Sequence, residues 1–271
     1  MPQDKRLIIS KAVLYKLQRV CQEAHADPGE EGIYLSFLLP SVVLSQVPEL
    51  LHPTDPFLFN VPHNVYKNAT TSSNNNNNSE STLTGRTTCL IVPKQIAFDC
   101  TKINKRHQLF DAVVTAEAIC KRGDEECLRR AMKVASTFTH FMVDSRILSK
   151  LPMCLVDAVK QSQQPDHQKK KATQRKKFII PLSGLDEREN LTFRLSQGVN
   201  NVILFMDKQT GQLHARVGHG NMTAGDICSN GKSIIVLLKK NFPNAMKNIN
   251  EFKLTSEKTD SIRFMEVQIQ K

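Results

Sequence analysis

The chain has no tryptophan, aromatic residues make up only 6% of it, and its seven cysteines are an odd number with no C-x-x-C pair. The aromatic deficit argues against a broad platform for stacking unpaired bases, so nucleic-acid contact is expected mainly through phosphates and shape. Cys21, Cys89, Cys100, Cys120, Cys127, Cys154 and Cys228 fit neither a disulfide framework nor a zinc site and read as reduced, mostly buried thiols. No stretch approaches the roughly 18 uninterrupted apolar residues that span a bilayer. The opening MPQDKRLIISKAVLYKLQRV carries Asp4 and no long apolar run, unlike a secretory signal or an acid-free transit peptide. A soluble intracellular protein with no membrane partner is the expectation.

Motifs for catalysis are missing as well. There is no H-E-x-x-H pair, no G-x-S-x-G elbow and no P-loop, so no nucleophile, base or metal cluster can be nominated. The segment Gly218, His219, Gly220, Asn221, Met222, Thr223 and Ala224 has the outline of a dinucleotide turn. Such a site would want a small residue at 223, a parallel βαβ unit and an acid about twenty residues on, where Lys239 and Lys240 stand instead. A tight backbone turn is the plainer reading, a nucleotide-dependent enzyme the alternative. No cofactor and no small-molecule substrate are expected.

What the chain does have is positive charge, 37 Lys and Arg against 26 Asp and Glu, for a formal net charge of +11. That excess suits a polyanion through attraction to phosphates and release of counterions, or else serves only solubility. It is concentrated in QSQQPDHQKKKATQRKK (161–177), where Lys169, Lys170, Lys171, Arg175, Lys176 and Lys177 follow His167 with no acid among them. Two basic blocks with a short spacer suit RNA phosphates or a nuclear import receptor, and a solvated loop otherwise.

With 271 residues and 40% apolar content, two modest domains are expected. Apolar spacing at Leu14, Leu17, Cys21 and Ala24 marks a helix over 10–26, and Ile33–Leu39 and Phe57–Val61 have strand length. The Asn-, Ser- and Thr-rich stretch 68–86, with five consecutive Asn at 74–78, cannot sustain a core and reads as a disordered insertion. After it come a strand at Cys89–Val92, helices at Asp111–Lys121 and Glu125–Ala135, and a strand at Thr139–Val143. This alternation implies a parallel sheet. Asp144 follows as a helix cap, or as an acid at a strand's carboxyl end. Later, Val199–Met206 and Gln212–Val217 flank a turn and read as a hairpin. A helix over 223–241, weakened by Asn230 and Gly231, precedes strands near Glu251–Thr255 and Ile262–Gln268.

Several stretches, in order, resemble the ribosomal L-one family. They are SKAVLYKLQ, GIYLSFLLP, FNVPHNVY with Val61-Pro62-His63 where the family often has Leu-Pro-His, THFMVDSRILSKLP with Asp144, Arg146, Ile147, Leu151 and Pro152, RKKFIIPL with Lys176, Lys177 and Pro181, and HARVGHGNM with Arg216, Val217, Gly218, His219 and Met222. The resemblance implies a two-domain α/β fold. A discontinuous α+β first domain would be built from 1–62 and 178–271, and a Rossmann-like domain at 87–160 inserted in it. The basic linker 161–177 would lead back. It further implies a non-catalytic protein bound to ribosomal RNA, with Arg216, His219, Lys253 and Lys258 on or near the surface equivalent to the family's RNA face.

Ribosomal members use a Thr-Met-Gly turn near the C-terminus. Here the corresponding stretch is Lys253-Leu254-Thr255-Ser256-Glu257-Lys258-Thr259, without the Met or Gly. A glutamate there adds repulsion toward phosphate. The departure points to the family's nucleolar ribosome-biogenesis branch, with pre-ribosomal RNA and pre-ribosomal proteins as partners. A genuine large-subunit stalk protein, cytosolic or mitochondrial, is the alternative.

Overall fold

The computed structural model describes residues 15–17, 19, 32–52, 55–66, 88–121, 123–162, 177–207, 210–220, 222–256 and 262–266. The Asn-rich stretch, most of the basic run, Lys258 and most of the first helix therefore lie outside the described residues. Of that helix, Tyr15, Lys16, Leu17 and Arg19 are helical, with Leu17 fully buried.

Along the chain the main elements are β1 (Gly32–Leu38), β2 (Thr88–Val92), α1 (Lys94–His107), β3 (Ala112–Thr115), α2 (Ala116–Ile119), α3 (Glu125–Thr137), β4 (His140–Asp144), α4 (Met153–Ser162) and β5 (Phe178–Leu182). They continue with α5 (Leu191–Gly198), β6 (Leu204–Met206), β7 (Gln212–His219), α6 (Ala224–Asn241), β8 (Glu251–Ser256) and β9 (Ile262–Glu266). Two compact units divide them, one formed by 1–73 with 202–271, the other by 74–201.

The second unit holds a four-stranded parallel sheet in the order β3-β2-β4-β5. Its strands are short and rich in Val, Ile and Phe because both faces are covered, and Ile91, Phe141 and Val143 have no exposed surface. Three expectations need correction. Phe178–Leu182 was assigned to the first domain, but it pairs with β4 as the last strand of the parallel sheet, so the return boundary falls at 201/202. Asp111–Lys121 was read as one helix, yet the β-branched run Val113-Val114-Thr115 extends as β3 and only Ala116–Ile119 coils. And α1 was unforeseen. Its buried stripe is only Ile96, Ala97 and Cys100, while Phe98 stands 79% exposed.

In the first unit, β9-β8-β1-β7-β6 form an antiparallel sheet. Alternation along β1 buries Ile33, Leu35 and Phe37 on one face, where Phe37 meets Phe252 of β8 with ring centres 5.2 Å apart. The β6–β7 hairpin turns at Gly211, whose φ of +67° explains the glycine. The expected strand at Phe57–Val61 shrinks to Phe59–Asn60. Helix α6 runs unbroken through Asn230, because that side chain is engaged outside the helix. Its Oδ1 accepts from His63 N (2.9 Å), and its Nδ2 donates to His63 O (3.0 Å) and Val217 O (2.9 Å).

Candidate nucleic-acid interface

Only one cation of the basic run is described, and it is engaged within the fold. The Lys177 ammonium donates to the carbonyls of Ala135 and, at 2.9 Å, Phe138, at the C-terminal end of α3. Those carbonyls lack helical partners and carry the negative end of the helix dipole, so a cation there is stabilising. Lys177, expected among the phosphate contacts, thus also closes a helix end.

Arg216 and His219, expected at the surface, are instead 7% and 4% exposed. Both lie on β7, where His219 pairs with Gly32 and Arg216 with Tyr34, under neighbouring chain. The Arg216 guanidinium carbon sits 5.7 Å from the Tyr66 ring centre, a cation–π contact, and its Nε and Nη2 have no hydrogen-bond partner among the described residues. Burial drives the Tyr66 phenol above its ordinary range, with the nearby Arg216 charge pulling the other way.

The sheet itself brings together what the sequence did not. On its second face, register places Phe205 (β6), His214 (β7), Ser36 (β1), Lys253 (β8) and Arg263 (β9) in one row across all five strands. Four interstrand steps make the row about 19 Å long. At one end the rings of Phe205 and His214 stack with centres 5.3 Å apart, and Tyr34 meets Phe205 edge-on at 5.7 Å. In the middle the Ser36 hydroxyl links His214 Nδ1 (2.7 Å) to Thr255 Oγ1 (2.6 Å). At the far end Lys253 and Arg263 share Glu251, at 2.6 and 3.3 Å. The Lys253 hydrogen bond is the main reason the Glu251 carboxyl is held below its usual acidity range. Both cations are thus engaged by Glu251. A groove of about 640 Å³ opens beside it, with Gln212 and Asn248 offering amide groups.

Of the sequence-derived candidates, Arg216 and Lys253 both lie on this face, Arg216 buried beside Tyr34 and Lys253 partly exposed. Phe205 and His214 face each other across the β6–β7 hairpin, but Tyr34 reaches them only through the distant pairing of β1 with β7. Their only local signal is the period-two alternation of their strands.

A nucleotide site finds no support in the helix starts. Thr223 Oγ1 caps α6 through Asp226 N (3.1 Å), and Asp226 itself adds negative charge there. Gly218 sits inside β7 because a Cβ would fall 2.7 Å from Ile227 Cγ1. In the parallel sheet, the Glu117 carboxylate accepts from Lys94 N (3.0 Å) at the start of α1. Asp144 accepts from Arg146 N (3.0 Å) and grips its guanidinium at 2.6 and 2.9 Å, as a cap rather than a free acid.

A family model for the ribosomal protein L1p/L10e family matches residues 60–260. The chain belongs to that family. A search of the curated proteins found no matching relative. Membership accounts for the mixed two-unit architecture and associates the chain with RNA-binding, ribosomal ribonucleoproteins, a family that is generally non-enzymatic. The 201 residues matched include parts of both L1-family units.

Proposed function

We propose that the protein is a non-catalytic ribosome-assembly factor of the nucleolus, binding pre-ribosomal RNA within pre-ribosomal particles. The observation that carries the RNA reading is the row Phe205-His214-Ser36-Lys253-Arg263, stacking rings at one end and cations at the other. Single-stranded RNA offers the complement, with bases over the rings and phosphates at Lys253 and Arg263. The assembly role, rather than a place in the finished stalk, is supported by the 253–259 stretch, which lacks the Met and Gly of ribosomal members and carries Glu257. The basic blocks at Lys169–Lys171 and Arg175–Lys176 add phosphate contacts or an import signal.

Two measurements test this. Lys253→Ala with Arg263→Ala should weaken RNA binding and reduce the slope of log affinity against log salt by about 1.4, since each phosphate contact on a single strand contributes about 0.7. An unchanged slope removes the row from the RNA interface. Gradient sedimentation of tagged protein should place it with precursors, and association with mature large subunits would favour the stalk-protein alternative.

A further inference from the structure

We propose that the edge of the parallel sheet at β3, with the apolar groove beside it, docks an extended acidic peptide segment of a partner protein. Among the described residues β3 has a strand neighbour on one side only, β2. The register of Cys89 with Ala112 and Leu90 with Val113 turns the amide groups of Val113 toward β2 and those of Ala112 and Val114 outward. Two N–H and two C=O groups therefore line an edge about four residues long. Sheet edges are commonly guarded by charge or proline, but Ala112-Val113-Val114-Thr115 has neither, and all four residues are partly exposed.

Beside this edge lies a groove of about 290 Å³, whose apolar lining includes Val114, Ala118, Ile119, Val134 and Phe138. A strand added to β3 alternates its side chains, so every second one would enter the groove on the Val114 side. Charge selects the occupant. Arg130 and Lys133 of α3 stand on the rim, and although Arg130 is paired with Glu126 at 3.0 Å, Lys133 is exposed and has no such ion pair among the described residues. A second copy of the chain is disfavoured, because pairing two β3 edges would bring two such cationic rims together. RNA has no extended amide ladder to match the edge. An acidic chain with apolar residues at alternate positions satisfies all three features. This site stands independently of the RNA-binding row.

The test selects short random peptides against the full-length protein and then measures amide exchange. Enriched peptides are expected to alternate apolar and acidic residues and to slow exchange at Ala112 and Val114 by about ten-fold. Lys133→Glu, on the exposed helix face, should weaken them about five-fold, and Val114→Pro, which deletes an outward N–H, should abolish binding. Failure to enrich any peptide overturns the proposal. So does binding that ignores Lys133→Glu, exchange unchanged at Ala112 and Val114, or crosslinking of the groove to RNA instead of peptide.

Discussion

Asn230 is fully buried, and its amide makes three hydrogen bonds, tying the 61–66 segment to both α6 and β7. In Asn230→Ala, one N–H and two C=O groups lose these bonds, the two of His63 in a half-buried segment and that of Val217 in the core. At about 1–3 kcal/mol for each group left unpaired, with some relaxation, the loss should be about 3–5 kcal/mol. Asn230→Asp separates hydrogen bonding from packing, because it keeps the shape. One carboxylate oxygen can still accept from His63 N, but the other then faces the carbonyls of His63 and Val217. Burial and these two dipoles raise the carboxyl pKa in the folded state, so folding favours the protonated form. Stability of the aspartate variant is therefore lost as pH rises above the unfolded-state value, and its deficit should be larger at about pH 7.5 than at about pH 5. Urea unfolding followed by amide exchange in the first unit reads this separately from the second unit. A deficit below about 1 kcal/mol for Asn230→Ala, or a pH-independent one for Asn230→Asp relative to wild type, would refute the reasoning.

Gly218→Ala should destabilise the first unit by about 1–3 kcal/mol, as its Cβ would meet Cγ1 of buried Ile227, and Ile227→Ala, which removes that atom, should cost less in the Gly218→Ala background than alone. Calorimetry of the single and double variants checks it, and strict additivity would contradict the contact. Lys177→Met should cost the second unit about 1–2 kcal/mol by exposing the α3 carbonyls to an apolar neighbour, while leaving the salt dependence of RNA binding unchanged. A flattened salt slope without loss of stability would place Lys177 among the phosphate contacts instead. Burial pushes the Cys89 thiol up to about 12 and Cys100 to about 11, from an ordinary 9.0. Their neutral forms are favoured by folding, so this contribution is intact below pH 9.0 and is lost as pH climbs toward 11 and 12. Alkylation of both thiols at neutral pH should be slow in the native state and fast in urea, and equal rates would show that they are not buried.

Local pattern alone was enough for β1, β2, α3, β4 and α6. Each carries a run or stripe of apolar residues at the period of its own element, and α3 adds Asp124, whose carboxylate accepts from the N–H groups of Glu126 and Cys127. The alternation of strand and helix also announced the parallel sheet. Tertiary structure decided the rest, because the deciding partners are distant in sequence. Whether Phe178–Leu182 closes one unit or opens the other depends on pairing with β4, which its own apolar run cannot specify. Lys177 belongs to a cationic run by sequence and to a helix end by geometry, since the carbonyls that claim it lie about forty residues earlier. Arg216 and His219 carry polar side chains that suggest a surface, yet the covering chain buries them. The row from Phe205 to Arg263 exists only once five strands are in register. Composition could count its rings and cations, but only hydrogen bonding between strands puts them side by side.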